Sequence, residues 1–331
     1  MLRPQWESSP HFFFERLRPT QRPLNPQLQP RSFGPADTAL LLTLAGMWGF
    51  SFLFIEVALW GMGPIWIVVG RTGVGALVLF AALVIRGQGL PASVRLWTQV
   101  LVLGLLTNAV PWTAVAWAQQ TLPSGLVALL MATVPTFTLV VSVAVGLERF
   151  TGARIGGLAL ALAGVGLTVG ADTRGMDEII AIAVVVVATL MYASGGVYAN
   201  RRVSGHASPM TIAAGQVLAS FLATVPAAFL LDPVPNPGDL SLPVLGSVFC
   251  LGALGTGGAF LVFYTLIERV GATNTSLVTY LIPLIAVAAG ALILGERIGL
   301  LALVGGLFII SGVWVAQRGT RAKEPASAGN P

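Results

Sequence analysis

The sequence predicts an all-α polytopic membrane protein, with ten transmembrane helices in two inverted five-helix repeats. Three observations predict it. Hydrophobic residues make up 55% of the 331-residue chain and charged residues 9%, against roughly 25% charged residues in a soluble domain. So few charges cannot cover a surface facing water, and lipid must act as the solvent. Apolar stretches near the ~20 residues that cross about 30 Å of hydrocarbon follow one another along the chain. The second half then repeats features of the first at a fixed offset.

Residues 1–36 read as a basic, proline-rich cytoplasmic tail. Pro4, Pro10, Pro19, Pro23, Pro26, Pro30 and Pro35 break any long helix, and the apolar core of a signal peptide is missing. Phe12, Phe13 and Phe14 beside Arg16 and Arg18 offer a membrane-surface contact; composition favours a disordered tail. The first unit, 37–170, holds spans near 38–59, 65–85, 97–118, 125–146 and 152–170. The second, 178–317, holds spans near 179–199, 210–230, 242–267, 275–294 and 299–317. Residues 318–331 form a second cytoplasmic tail.

Orientation follows from where Arg and Lys collect. With the N-terminus inside, the inner loops hold Arg86, Arg95, Arg149, Arg154, Arg201, Arg202 and Arg269, and the tails hold the rest. The outer loops hold Arg174 and Arg297, and Arg71 falls within a span. Both termini are therefore expected in the cytoplasm of a cell with this chain in its inner membrane.

The formal charge of +5 does not point to nucleic acid, because these charges are scattered between apolar segments and form no basic face. Cys250 is the single cysteine, and His11 and His206 lie outside the apolar segments. No intramolecular disulfide can form, and neither a metal centre nor a cofactor is expected. Membrane lipid and a small-molecule substrate are the expected partners, and a homodimer is compatible with the sequence.

Without a gap, residues 103–167 map onto 251–315 at an offset of 148. Pro135 meets Pro283, Glu148-Arg149 meets Glu296-Arg297, Gly157 meets Gly305, and Gly164-Val165 meets Gly312-Val313. Trp48 falls opposite Tyr192, Pro64 opposite Pro209 and Arg71 opposite Gln216 with small shifts. Five spans per unit force the second copy to enter from the opposite side. Inverted units of this kind recur in secondary transporters, where the binding site lies near the midplane between them.

Several of these elements carry a family resemblance. Trp48-Gly49-Phe50-Ser51-Phe52, Arg71, Pro135 with Gly146-Leu147-Glu148-Arg149, and Pro283 with Leu294-Gly295-Glu296-Arg297-Ile298 resemble the EamA-type family of the drug/metabolite transporter superfamily. The resemblance covers about 38–317. It implies export or exchange of amino acids, metabolites or xenobiotics across the bacterial inner membrane, without ATP. Many relatives carry a lysine late in span one where this chain has Glu56, so cargo charge and coupling do not follow from the resemblance.

Glu56 and Arg71 are the ionisable residues placed well inside spans, where an unpaired charge costs several kcal/mol. An ion pair between them, lining a cavity, is the expected arrangement, with a purely structural pair as the alternative. Asn108 and Trp112 share one face of span three, with Gln119 further along and read as loop. Under the repeat they correspond to Thr256 and Phe260, with Tyr264 one turn beyond. Polar groups beside aromatic surfaces suit an amphipathic solute, and interhelical hydrogen bonding is the alternative. Trp48, Tyr192 and Tyr280 join the cavity candidates, against ordinary packing. Pro135 and Pro283 would free the carbonyls of Met131 and Thr279 and act as hinges or static bends. Glu148 and Glu296 are expected to cap the helix that follows each of them.

Three function classes are disfavoured. An intramembrane enzyme needs a nucleophile with a base, a metal cluster or a carboxylate pair, and the spans hold no histidine and no acidic pair. An ATP-driven pump needs a phosphate-binding Gly-Lys-Ser/Thr loop, which is missing. A receptor or scaffold would carry a large soluble interaction domain.

Overall fold

The computed structural model describes residues 34–172 and 175–321. The expectations for the N-terminal tail, for Arg174 and for the segment after 321 fall outside the described residues. Ten helices follow one another: α1 (Pro35–Ala58), α2 (Pro64–Ile85), α3 (Val94–Gln119), α4 (Ser124–Ala144), α5 (Gly152–Asp172), α6 (Met176–Val203), α7 (Pro209–Leu231), α8 (Leu242–Ala272), α9 (Val278–Ile293) and α10 (Leu300–Arg321). Eight are long and apolar enough to cross a membrane, and α5 and α9 are shorter apolar helices. Large apolar side chains such as Leu77, Phe80, Phe229, Phe249 and Leu292 stand exposed on the helices, as lipid-facing positions require.

Local chemistry sets the helix ends. Pro35, Pro64 and Pro209 occupy first-turn positions, where a missing N–H breaks no bond. Ser93 accepts from Leu96 N at 3.2 Å and Ser208 from Thr211 N at 3.1 Å, capping α3 and α7. Asp37 reaches back to Gly34 N at 3.1 Å and holds Arg269 of α8 at 2.6 Å. Gly146 and Gly295 follow α4 and α9 with φ of 76° and 68°, a left-handed conformation that glycine adopts without penalty.

Helix α1 packs on α8 and α9, α6 packs on α3 and α4, α2 packs on α7 and α8, and α7 packs on α3. Helices α5 and α10 pack on each other. Exchanging α1–α5 for α6–α10 leaves these pairings unchanged. The α5–α10 seam is backbone against backbone. A methyl at Gly157 or Gly164 would come within 2.5 Å of the carbonyl of Gly312 or Gly305, so small residues are required there.

Three helices depart from regular geometry near the middle of the bundle. Residues Leu105–Ala109 of α3 and Ala253–Gly258 of α8 form π-helical turns, and these stand 148 residues apart. Helix α4 is interrupted by a turn at Ala132–Thr133. The expectation for Pro135 is corrected here: it lies in the first turn of the half-helix Val134–Ala144 rather than within a continuous helix. Pro283 does lie inside a helix, α9. The two prolines therefore occupy unlike positions.

Candidate functional site

Four helices converge on Arg71. The side chain projects from α2 and is 6% exposed. Its Nε donates to Thr256 Oγ1 at 3.0 Å and its Nη2 approaches the Gly255 carbonyl oxygen at 3.5 Å. Both partners belong to the π turn of α8, where the run Gly255-Thr256-Gly257-Gly258 brings backbone close to α2. A methyl at Gly75, one turn along α2 from Arg71, would fall 2.7 Å from Thr256 Cγ2. The guanidinium Cζ lies 3.7 Å from the centroid of the Trp112 ring of α3, a cation–π contact. Trp112 Nε1 in turn donates to the hydroxyl of Tyr192 on α6.

Asn108 sits in the π turn of α3, one turn from Trp112, and is 1% exposed. Its Oδ1 lies 3.2 Å from Thr107 Oγ1, and its Nδ2 has no hydrogen-bond partner. This centre is therefore rich in donors and holds a cation. The ion pairs found among the described residues are Arg154–Glu148 and Arg269–Asp37, each at 2.6 Å. The expected Glu56–Arg71 pair is not formed. Arg71 turns toward α3 and α8, whereas Glu56 turns toward the end of the bundle.

Glu56 belongs to a second polar centre. Its carboxyl hydrogen-bonds to Gln119 and feels the charge of Glu296. Gln119, expected in a loop, is the last residue of α3 and is 3% exposed. Its Nε2 donates to the Phe52 carbonyl at 2.9 Å, one turn before Glu56. Glu296, expected to cap the following helix, instead spans back to α4: its Oε1 accepts from Ser124 N at 2.9 Å and its Oε2 from Gly125 N at 3.1 Å. A carboxylate on a helix N-terminus suits both the free N–H groups and the helix dipole. At the opposite end of the bundle Glu148 bonds to Arg154 of α5, and a cavity of about 300 Å³ opens beside them, lined also by Pro135, Thr279 and Gln317.

The remaining aromatic candidates stand apart from Arg71. Trp48 packs on Phe263 at 5.5 Å between ring centroids, and Tyr264 meets the same ring at 5.4 Å. Tyr280 donates its hydroxyl proton to Gln317 Oε1 at 2.8 Å, next to the small cavity. A larger cavity of about 480 Å³ is lined by apolar positions such as Leu105, Ala109 and Trp117. Sequence reasoning missed Gly255 as a partner of Arg71, and it missed the link of Glu56 to Gln119 and Glu296. No cluster of three or more metal-ligating side chains occurs among the described residues.

The EamA-like transporter family model matches residues 38–170 and again 179–317. A probable amino-acid metabolite efflux pump of Escherichia coli is 22% identical over 89% of this chain and 99% of its own length. A probable terminal-alkyne amino-acid exporter of Streptantibioticus cattleyicolor is 26% identical over 88% of this chain and 97% of its own. A crystal structure with 19% identity matches at a TM-score of 0.62, covering 87% of this chain and 99% of that one; it supports the fold alone.

Proposed function

The chain belongs to the EamA-like transporter family, and on that premise we propose that it exports a small organic acid, an amino acid or a related metabolite, by alternating access. The observation that carries this reading is the uncompensated guanidinium of Arg71. A buried cation without a carboxylate partner costs several kcal/mol in a membrane interior. A cargo carboxylate completes it, because the guanidinium fork accommodates two parallel hydrogen bonds. Asn108 Nδ2 offers a further donor and the Trp112 ring an apolar wall. The efflux names of two relatives agree with a carboxylate-bearing cargo.

Residues 37–170 and 178–317 act as two inverted units in this reading. The helix pairings that survive exchange of the halves support it, as do the π turns 148 residues apart. The Arg distribution supports both termini in the cytoplasm of a bacterial inner membrane. Trp48, Tyr264 and Tyr280 then line the route between the Arg71 centre and the cytoplasm.

Counterflow in proteoliposomes tests the proposal. Amino acids should exchange, their amides should not, and Arg71→Gln should abolish exchange while leaving the purified protein folded. Equal exchange of acids and amides, or full activity in Arg71→Gln, overturns it.

A further inference from the structure

The turns that join α4 to α5 and α9 to α10 fold alike. Glu148 N donates to the Ser142 carbonyl at 3.3 Å, and Glu296 N, 148 residues later, donates to the Gly290 carbonyl at 3.0 Å. Their carboxylates nevertheless go to different places. Glu296 sits on Ser124 N and Gly125 N at the start of α4. At the same offset, the equivalent amides are those of Ala272 and Thr273. Helical geometry restarts there behind Gly271 (φ 80°, ψ 162°), and it runs on through Ser276 and Leu277 into α9. The bond found for Glu148 among the described residues is instead to Arg154, at 2.6 Å.

The surroundings differ in the same sense. The first half of α4 packs along α9, and a methyl at Gly125 would fall 2.5 Å from Ile298 Cδ1. Ile298 itself packs against the buried core. At the equivalent place, the cavity of about 300 Å³ opens between the second half of α4 and the start of α9. Thr138, Glu148 and Arg154 line one side of it, and Ser276 and Thr279 the other. Phe150, the counterpart of Ile298, is 46% exposed. One end of the bundle is shut and its equivalent is open.

We propose that Glu148 and Glu296 are alternating latches, each closing its own mouth by seating on the helix start across from it. This structure stands with the Glu296 mouth closed and the Glu148 mouth open. To change state, Glu296 leaves Ser124 and Gly125, and Glu148 leaves Arg154 for the amides of Ala272 and Thr273. The cavity between α4 and α9 closes with that step. First-turn N–H groups have no acceptor within their own helix and favour a carboxylate at either end. The two states thus trade like contacts. Arg154 parks the open latch: its Nη1 donates to the Arg149 carbonyl at 2.6 Å, which keeps the guanidinium beside its own turn. The exchange rests on the alternating-access part of the proposed function. In the proposed orientation the open mouth is the cytoplasmic one, where an exported solute enters.

Cysteine labelling reads both mouths without any cargo. In a Cys250→Ser background, Thr279→Cys reports the Glu148 mouth, whose cavity it lines. Met131→Cys, its counterpart 148 residues earlier, reports the Glu296 mouth, where it packs against the core. A small membrane-permeant maleimide should label Thr279→Cys and spare Met131→Cys. Removing a latch shifts the population toward the state that does not use it. Glu296→Ala should therefore move the ratio of the two labelling rates toward Met131→Cys by roughly tenfold, equivalent to about 1.4 kcal/mol. Glu148→Ala should move it the other way, and the double variant should return toward the parent. Arg154→Gln keeps both latches and removes the parking place, so it should slow labelling of Thr279→Cys and speed that of Met131→Cys. Rates that rise together at both positions in the Glu296→Ala and Glu148→Ala variants, as general loosening gives, overturn the proposal. An unchanged ratio in Arg154→Gln overturns it too. Labels that trade places without amino-acid counterflow would sink the export reading and leave the latches standing.

Discussion

The guanidinium of Arg71 lies over the indole of Trp112, 3.7 Å from Cζ to the ring centroid, and so ties α2 to α3 through a contact that uses none of its N–H groups. Two of those groups reach Thr256 and Gly255. The others are left for a ligand in the proposed site.

Arg71→Lys tests whether the planar fork matters. Lysine keeps the charge and loses both the stacking surface and the paired donors. Acid cargo affinity should fall roughly tenfold or more, equivalent to about 1.4 kcal/mol, while the melting temperature changes little. Titration of the purified protein with amino acids reads both; unchanged affinity would mean that charge alone suffices.

Glu56→Gln and Arg71→Gln should behave independently. The two residues share no partner, so the double variant should show the sum of the single effects within about 0.5 kcal/mol. Thermal unfolding of the four proteins measures this. Recovery of stability in the double variant would reveal a pair that another conformation makes.

Gly290→Ala should unseat Glu296 from Ser124 and Gly125 by sterics. A methyl there would run into the Glu296 carboxylate and lie 3.1 Å from Ser124 Oγ. Overpacking of this kind costs typically about 1–3 kcal/mol. Amide exchange at Ser124 and Gly125 should rise at every pH, and normal protection would show that Glu296 has room to spare.

Reporter fusions check the proposed orientation. Fusions after Arg86, Arg149 and Arg202 should read cytoplasmic, and fusions near Gly61, Pro123 and Asp239 should read periplasmic. Labelling of Glu148 and Glu296 from the same side would remove the inverted arrangement.

The spans were legible because apolar runs report the solvent directly, and an arginine inside such a run had to be buried. Its partners were not legible. Thr256 is neutral and lies 185 residues away, and Gly255 acts through a backbone carbonyl exposed by a π turn that no side-chain pattern announces. Matched depth in neighbouring spans pairs Glu56 with Arg71. Depth says nothing about which way a side chain turns around its helix axis. Polarity at a span end usually marks a loop, which is how Gln119 reads; here the amide donates to the Phe52 carbonyl. For Glu296 the repeat located the residue correctly, but sequence adjacency suggested the next helix when the carboxylate reaches back to α4.

The π turn in α3 has a mechanical consequence. It accommodates one residue more than an α-helix would over the same span, so deleting any one residue of Leu105–Ala109 can be absorbed as regular helix. Every side chain beyond the deletion would then keep its place around the axis, because the surplus residue is what has been removed. Trp112 would stay over Arg71, while the widened turn that holds Asn108 would close. A single-codon deletion is thus tolerated by the register here, whereas in the regular helix α2 it would turn every later side chain by about 100°.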